Sequence, residues 1–422
     1  MNPPRGRRQL LYLVLDGLGD EPCADLDGLT PLGAARIPCL DGLARRGTTF
    51  RLDMRDRDGD VSTSYGQFAL FGYGEDEALP QRGPVESAGI GVSLVDGDVA
   101  FRANWATFDE RGRIVDRRAG RIREGAAELA RALDGLRLGD EVRAIVRAGT
   151  EHRVALVLRG PGLGAGVRDT DPMHTITQPI PPLPLAASDP NDAASVLTVS
   201  KLARFQALSR DILRAHPVNL RRAERGLLPA NGLLTRRAGF HVSIPTLEER
   251  FGLQGVAIAG GSTVTGVMQL LGCETVHMPK FTANVDTDLR GKLNQAVGGL
   301  ASGADFVMVH VKALDILAHD RDPKGGVRFL EKLDAALRTI LPQLPADMII
   351  AVGADHSTSS ETGDHSTTPP PALLCGPGVE ADAALAFDEV SIERAGVKVV
   401  RGAEFFRVVR EAMGHRHAGG TR

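Results

Sequence analysis

The chain has few cysteines, no long apolar run and almost no net charge, and each lack removes a class of function. Four cysteines, Cys23, Cys39, Cys273 and Cys375, are scattered over 422 residues without CxxC spacing. That excludes zinc ribbons and thioredoxin-like redox motifs, and fits reduced, mostly buried thiols in a cytoplasmic protein. No stretch nears the roughly twenty consecutive apolar residues that a membrane helix needs. The basic start MNPPRGRRQ runs into LLYLVLD, but the apolar run is short and ends in an acid, so it reads as a first buried strand rather than a secretory leader. A formal charge of -3 and a pI near 6.4 argue against a general nucleic-acid surface. What remains is an ordinary globular composition, 42% hydrophobic and 24% charged, on a chain long enough for a large core and two domains.

Strand, helix and strand recur along the chain, which predicts a layered α/β fold on a mostly parallel sheet. Leu10 to Leu15 is continuous and apolar, the pattern of a strand buried on both faces. Ala193 to Ala215 and Leu289 to Ala301 read as helices. So does PKGGVRFLEKLDAALRTILPQL, which places Val327, Leu330, Leu333, Leu337 and Ile340 on one face. From Leu79 the chain turns rich in arginine and glycine, with strand-like VAFRANWATF, VRAIVRAG and HRVALVLRG, and ends in the proline-rich TQPIPPLPLAASDPND. The expected division is therefore a core of residues 1–76 and 193–422, with an inserted α/β domain over 77–192 returning through the proline-rich stretch.

Between Met308 and Pro371 three fragments, VHVKALDILAH, IIAVGADHSTSS and GDHSTTPPP, each join Asp and His just beyond an apolar run. Asp315 and His319 are one helical turn apart; Asp355 and His356 are adjacent at a strand exit; His365 lies in the second DHS. Asp16 ends the first strand, where open parallel sheets carry their ligands; the bland reading is a turn aspartate before glycine. Three aspartates and three histidines suffice for two divalent ions with three protein ligands each, an arrangement suited to phosphoryl transfer. Ser62, Thr63 and Ser64 precede a short apolar helix; such hydroxyls commonly cap a helix, and the alternative is a nucleophile at its start. Arg117, Arg118 and Arg121 fit bidentate binding of carboxylate and phosphate, with His152 and Arg153 beside them as candidates for substrate contact or proton transfer, as are Asp116 and Asp169. The bland reading of RRAGR is a solvated turn.

The motifs VLDGLGD, TPLGAARIPCLDGLARRG, RGPVESAGIGVSLVDGDVAFRANWATFDERGRIVDRRAGRI, TEHRVALVLRG, HVKALDILAHDRDP and ADHST, in this order, resemble the archaeal-type cofactor-independent phosphoglycerate mutases of the alkaline phosphatase superfamily. The resemblance implies an alkaline-phosphatase-like core and interconversion of 3-phosphoglycerate and 2-phosphoglycerate through a phosphoenzyme, as an isomerase of glycolysis. It implies one ion held by Asp16, Asp355 and His356 with the nucleophile, and a second held by Asp315, His319 and His365. Manganese is the first expectation, with zinc, magnesium or cobalt also suited. The family has Ser-Asp-x-Ala-His before its LSxLGY helix. Counting back from Gly72 and Tyr73 puts Thr63 at the serine, Ser64 at the aspartate and Gln67 at the histidine. Thr63 is thus the expected nucleophile and metal ligand, with Ser62 and Ser64 as alternatives. Pro279-Lys280 resembles the segment of bacterial members whose lysine meets phosphate. The expected partner is a small phosphorylated carboxylic acid, with no nucleic acid or membrane; oligomeric state is left open. A phosphomonoester or phosphonate hydrolase of the same superfamily, or a non-catalytic relative, are the alternatives.

Overall fold

A computed structural model describes residues 7–74, 77–174 and 176–414. The chain divides into two compact units, residues 1–77 with 245–422, and residues 78–244. The first unit opens with β1 (Leu10–Leu15), buried at every residue, and β2 (Thr48–Asp53). Residues 78–244 then form β3 (Val99–Phe108), β4 (Ile114–Asp116), β5 (Arg143–Ala148), β6 (Arg153–Arg159) and β7 (Gly232–Phe240). The first unit resumes with β8 (Gly255–Ile258), β9 (Glu274–Val276), β10 (Phe306–Val311) and β11 (Ile349–Gly353). It closes with the short pair β12 (Ser357–Thr358) and β13 (His365–Ser366), then β14 (Pro371–Cys375) and β15 (Val399–Arg401).

The first unit is built on an eight-stranded sheet of order β15-β2-β14-β11-β1-β10-β8-β9. Pairing is parallel from β11 through β1, β10 and β8 to β9, and antiparallel only where β14 meets β11 and β2. This is the mixed α/β fold with a mostly parallel sheet that the sequence predicts. Side chains of a strand alternate between faces. Leu11, Leu13 and Leu15 accordingly pack with Val307, Val309 and Val311 against Leu330, Leu333, Leu337 and Ile340 of the helix Pro323–Ile340. On that helix Phe329 is buried and Val327 only half-buried, a small departure from the predicted stripe. The other face is aromatic: Tyr12 lies 5.4 Å from Phe71 and 6.4 Å from Phe405 between ring centres. Among the described residues no helix is long and apolar enough to cross a membrane, and three of the four cysteines, all free, are buried.

The second unit corrects the predicted boundary at residue 192. Residues 193–244, assigned to the core from their local pattern, belong with the insert. The reason is long-range pairing: β7 lies antiparallel to β3 from Val99↔Phe240 to Ala106↔Gly232. The helix Ala193–Ala215 packs Leu202, Phe205 and Leu213 against Val99, Phe101, Ala103 and Trp105 of β3. The proline-rich stretch is thus not the return crossing; the chain returns at Pro245. By strand alternation Arg102 and Asn104 point to the face of β3 away from that helix.

Candidate active site

The three central parallel strands end level with one another. Leu15 pairs with Val311, and Val14 with Gly353, so Asp16, Lys312 and Asp355 emerge at one edge. Two close approaches hold this edge together. Gly17 has φ +72, and a Cβ there would lie 2.8 Å from the Asp315 Cα and from Thr358 Oγ1. At Gly66 a Cβ would come within 2.3 Å of the Asp355 carbonyl oxygen, so the helix Thr63–Ala69 sits directly on the exit of β11. The β12–β13 pairing Thr358↔His365 folds His365 back beside His356, whose ring it stacks on at 3.7 Å.

Two triplets result, each with donor atoms within 4.8 Å of one another: Asp16, Asp355 and His356, and Asp315, His356 and His365. His356 therefore stands within reach of both. His319 meets Asp315 through Nε2, 3.3 Å from Oδ1, while its Nδ1 lies 2.6 Å from the Gly363 carbonyl. It is outside the second triplet, in which His356 stands. Asp16, Asp355 and His356 are fully buried. Asp16 Oδ1 and both carboxylate oxygens of Asp355 have no hydrogen-bond partner. Burial, then the Asp16 charge, pushes the Asp355 carboxyl up to about 7. For Asp315 burial acts upward, but the bonds to His319 and His365 and the Lys312 charge outweigh it and hold the carboxyl far below its usual range. Crowded, buried carboxylates with unpartnered oxygens, facing imidazole nitrogens, are a donor set that fits divalent metal ions.

Of the three hydroxyls before the helix, Thr63 faces this cluster: its Oγ1 lies 3.4 Å from His356 Nε2. Ser62 is the N-cap and accepts from the Tyr65 amide, and Ser64 Oγ is buried without a partner. Gln67, one turn beyond Thr63, is fully buried with both amide atoms unpartnered. Lys280 is exposed and its side chain meets none of these groups; the lysine at the carboxylates is Lys312.

The second unit carries a cluster of opposite sign. Asp171 is buried and takes a bidentate pair from Arg117, with Nε–Oδ1 and Nη2–Oδ2 both 2.8 Å. Asn104 donates to Asp171 and accepts from Arg153 at 3.0 Å. Glu86 lies 3.0 Å from Arg102 and 3.1 Å from Arg82, and Arg236 stands 3.7 Å from Asp171. Several guanidinium groups thus share two buried carboxylates. The crowding shows in their acidity: burial, with Arg82, Arg153 and Arg236, brings Arg102 down to about 8. Burial followed by Arg153, Arg118, Arg121 and Arg102 lowers His152 to about 3, and neither ring nitrogen of this buried imidazole has a hydrogen bond, Glu151 Oε2 lying 3.9 Å from Nδ1. Arg118 is half-buried and Arg121 exposed, in a left-handed turn at φ +54. Asp116 and Asp169 are occupied locally, accepting from the Arg118 and Arg237 amides respectively.

Comparison with known proteins agrees with the resemblance carried by the motifs. The family model described as 2,3-bisphosphoglycerate-independent phosphoglycerate mutase matches residues 44–219. A protein of that name from Methanoculleus marisnigri is 39% identical over 417 residues, 98% of this chain and 99% of the relative. The chain belongs to the 2,3-bisphosphoglycerate-independent phosphoglycerate mutase family. A second member, from Archaeoglobus fulgidus, is 37% identical over 94% of this chain and 96% of its own. Among solved structures, the cofactor-independent phosphoglycerate mutase of Thermoplasma acidophilum is 32% identical with a TM-score of 0.69, covering 96% of this chain and all of that one. The PH0037 protein of Pyrococcus horikoshii superposes with a TM-score of 0.82 at 27% identity, covering 98% and 100%.

Several polar residues at these clusters escape a reading of the sequence, among them Arg102, Arg236, Lys312 and His310. Arg102 and Arg236 lie inside strands, and the only signal is an arginine at an inward position of an otherwise apolar run. Lys312 sits three residues before Asp315 within VHVKALD, and His310 lies 3.2 Å from Asp16 Oδ2 through its Nε2. Both stand in the motif without being acid-and-imidazole pairs.

Proposed function

We propose that this chain interconverts 3-phosphoglycerate and 2-phosphoglycerate by moving the phosphoryl group through Thr63. The observation that carries this reading is the position of Thr63 Oγ1, 3.4 Å from the imidazole common to both donor triplets. Two divalent ions, manganese for preference, held by Asp16, Asp355 and His356 and by Asp315, His319 and His365, would favour the deprotonated hydroxyl and stabilise charge on phosphoryl oxygens. Thr63 Oγ forms a bond to phosphorus as the ester bond to the glycerate oxygen breaks, and that oxygen leaves as a hydroxyl once protonated. The reverse step, with the other glycerate hydroxyl as acceptor, returns the phosphoryl group and frees Thr63.

The second unit offers arginines for the carboxylate of such a substrate. Arg117 is committed to Asp171, so Arg118, Arg121 and Arg153 are the groups that bind the carboxylate, with guanidinium forks suited to it. His152 is neutral at physiological pH, and its nitrogens, free of hydrogen bonds, can exchange a proton with a glycerate hydroxyl. Retention of the acid in this cationic cluster is what separates a mutase from a phosphatase. A glycolytic role in the cytoplasm follows from the substrates.

One observation favours a second reading, hydrolysis of a phosphomonoester or phosphonate. Ser64 Oγ and both amide atoms of Gln67 are buried and unpartnered close to Thr63 in the chain, where the family pattern has Asp and His, and such groups hold water. Assays in both directions with manganese and the two phosphoglycerates test the proposal. Interconversion supports it; release of inorganic phosphate without isomerisation supports the hydrolase. Neither, in protein shown to contain two ions, overturns both.

A further inference from the structure

Asp16 and Asp315 belong to different donor triplets, yet one side chain holds both. Lys312 Nζ lies 2.7 Å from Asp315 Oδ2 and 3.0 Å from Asp16 Oδ2. Those contacts occupy one oxygen of each carboxylate and turn the other towards the histidines. Asp315 Oδ1 stands 3.3 Å from His319 Nε2, 3.5 Å from His365 Nε2 and 4.0 Å from His356 Nε2, and accepts from Thr358 Oγ1 at 3.0 Å. Asp16 Oδ1 stands 3.4 Å from His356 Nε2 and has no hydrogen bond. His310 approaches Asp16 from the same side as Lys312, through Oδ2. The base of this arrangement is itself braced, because the wholly buried Lys292 donates to the His310 carbonyl at 2.9 Å, fixing the end of β10 from which both residues extend.

The terminal torsion of an aspartate is soft, so an unrestrained carboxylate presents either oxygen. We propose that Lys312 is a positioning residue that locks the donor oxygens of Asp16 and Asp315 towards the histidines and thereby couples the two metal triplets. Groups that hydrogen-bond to ligating carboxylates typically affect metal affinity ten- to a hundredfold. The inference rests on the two-ion part of the proposed function and is independent of whether the product is an isomer or free phosphate.

The test compares the full-length wild type with Lys312→Met and Lys312→Arg by calorimetric titration with Mn²⁺ alone. Mn²⁺ electron paramagnetic resonance, thermal unfolding and the phosphoglycerate assay run in parallel. The clamp predicts that the methionine variant binds both ions about 10- to 100-fold more weakly, with a lowered unfolding temperature in the metal-free protein because two buried carboxylates lose their cation. The two sites should weaken together, with the spin-coupled two-ion signal lost first. Arginine, whose fork can donate to two carboxylates, should restore most of the affinity. Unchanged affinity at both sites overturns the proposal, as does weakening confined to one site. Tighter binding, the result expected if Lys312 were only a repelling charge, overturns it too. If the methionine variant does not fold, Lys312→Gln replaces it. Its single amide reaches one carboxylate, so the clamp predicts weakening, and wild-type affinity at both sites overturns it. A wild type that binds two ions without isomerising phosphoglycerates would defeat the mutase reading and leave the clamp standing; one that binds no Mn²⁺ defeats the clamp.

Discussion

The two units bury charge of opposite sign by different means. In the first, carboxylates are brought together by three strand ends and left with unpartnered oxygens. In the second, guanidinium groups crowd around two carboxylates that neutralise only part of them. A buried charge without compensation is costly, so each cluster is incomplete by itself: the first calls for cations, the second for an anion. A phosphorylated carboxylic acid and divalent ions supply what each lacks. The difference also separates roles within the second unit. Arg117 is matched to Asp171, whereas the arginines around it carry the surplus.

The largest effect should come from the first cluster. Thr63→Ala removes the only one of the three hydroxyls that faces it, and kcat should fall by at least about 10³-fold, measured as phosphoglycerate interconversion, with unfolding temperature little altered. Full activity in this variant would remove Thr63 from the chemistry. Next, Arg117→Met should destabilise the fold by about 1.5–3 kcal/mol, because buried Asp171 loses its bidentate donor and keeps only Asn104, the Met173 amide and the more distant Arg236. Denaturant unfolding reads this, and a stable variant with only a raised KM would place Arg117 among the substrate contacts instead.

A pH effect sharpens the contrast further. His152 is lowered from 6.5 to about 3, so between those values the unfolded chain binds a proton that the folded one does not. Stability from this group is present above pH 6.5 and is lost as pH falls towards 3, at about 1.4 kcal/mol per pH unit. His152→Gln should flatten the loss of unfolding free energy between pH 6 and 4 relative to wild type; parallel curves would contradict the assignment. The smallest effect is expected at Arg121, exposed and screened. Arg121→Ala should raise KM by about tenfold or less with kcat unchanged, and the difference should shrink with added salt.

These expectations were legible in the sequence to different depths. Continuous apolar runs and amphipathic stripes located β1 and the helices Ala193–Ala215 and Leu289–Ala301, because their signals are local. The boundary at residue 192 failed because β7 joins the insert only through its pairing with β3, more than a hundred residues earlier. The acids and histidines of the first cluster were visible as strand-end motifs. Thr63 was picked from three neighbouring hydroxyls only by counting back along the family pattern; local spacing alone left Ser62 and Ser64 open, since the choice depends on which one points at His356. Arg102, Arg236, His310 and Lys312 are set by strand alternation and register, which one sequence does not reveal.

The central claim is that Thr63 carries the phosphoryl group, and trapping the intermediate tests it most directly. Protein loaded with Mn²⁺ and mixed with 3-phosphoglycerate is quenched in acid, digested and mapped by mass spectrometry. The account predicts phosphate on Thr63, absent from Thr63→Ala. Phosphate on Ser62 or Ser64, or turnover with no phosphorylated peptide, would contradict it.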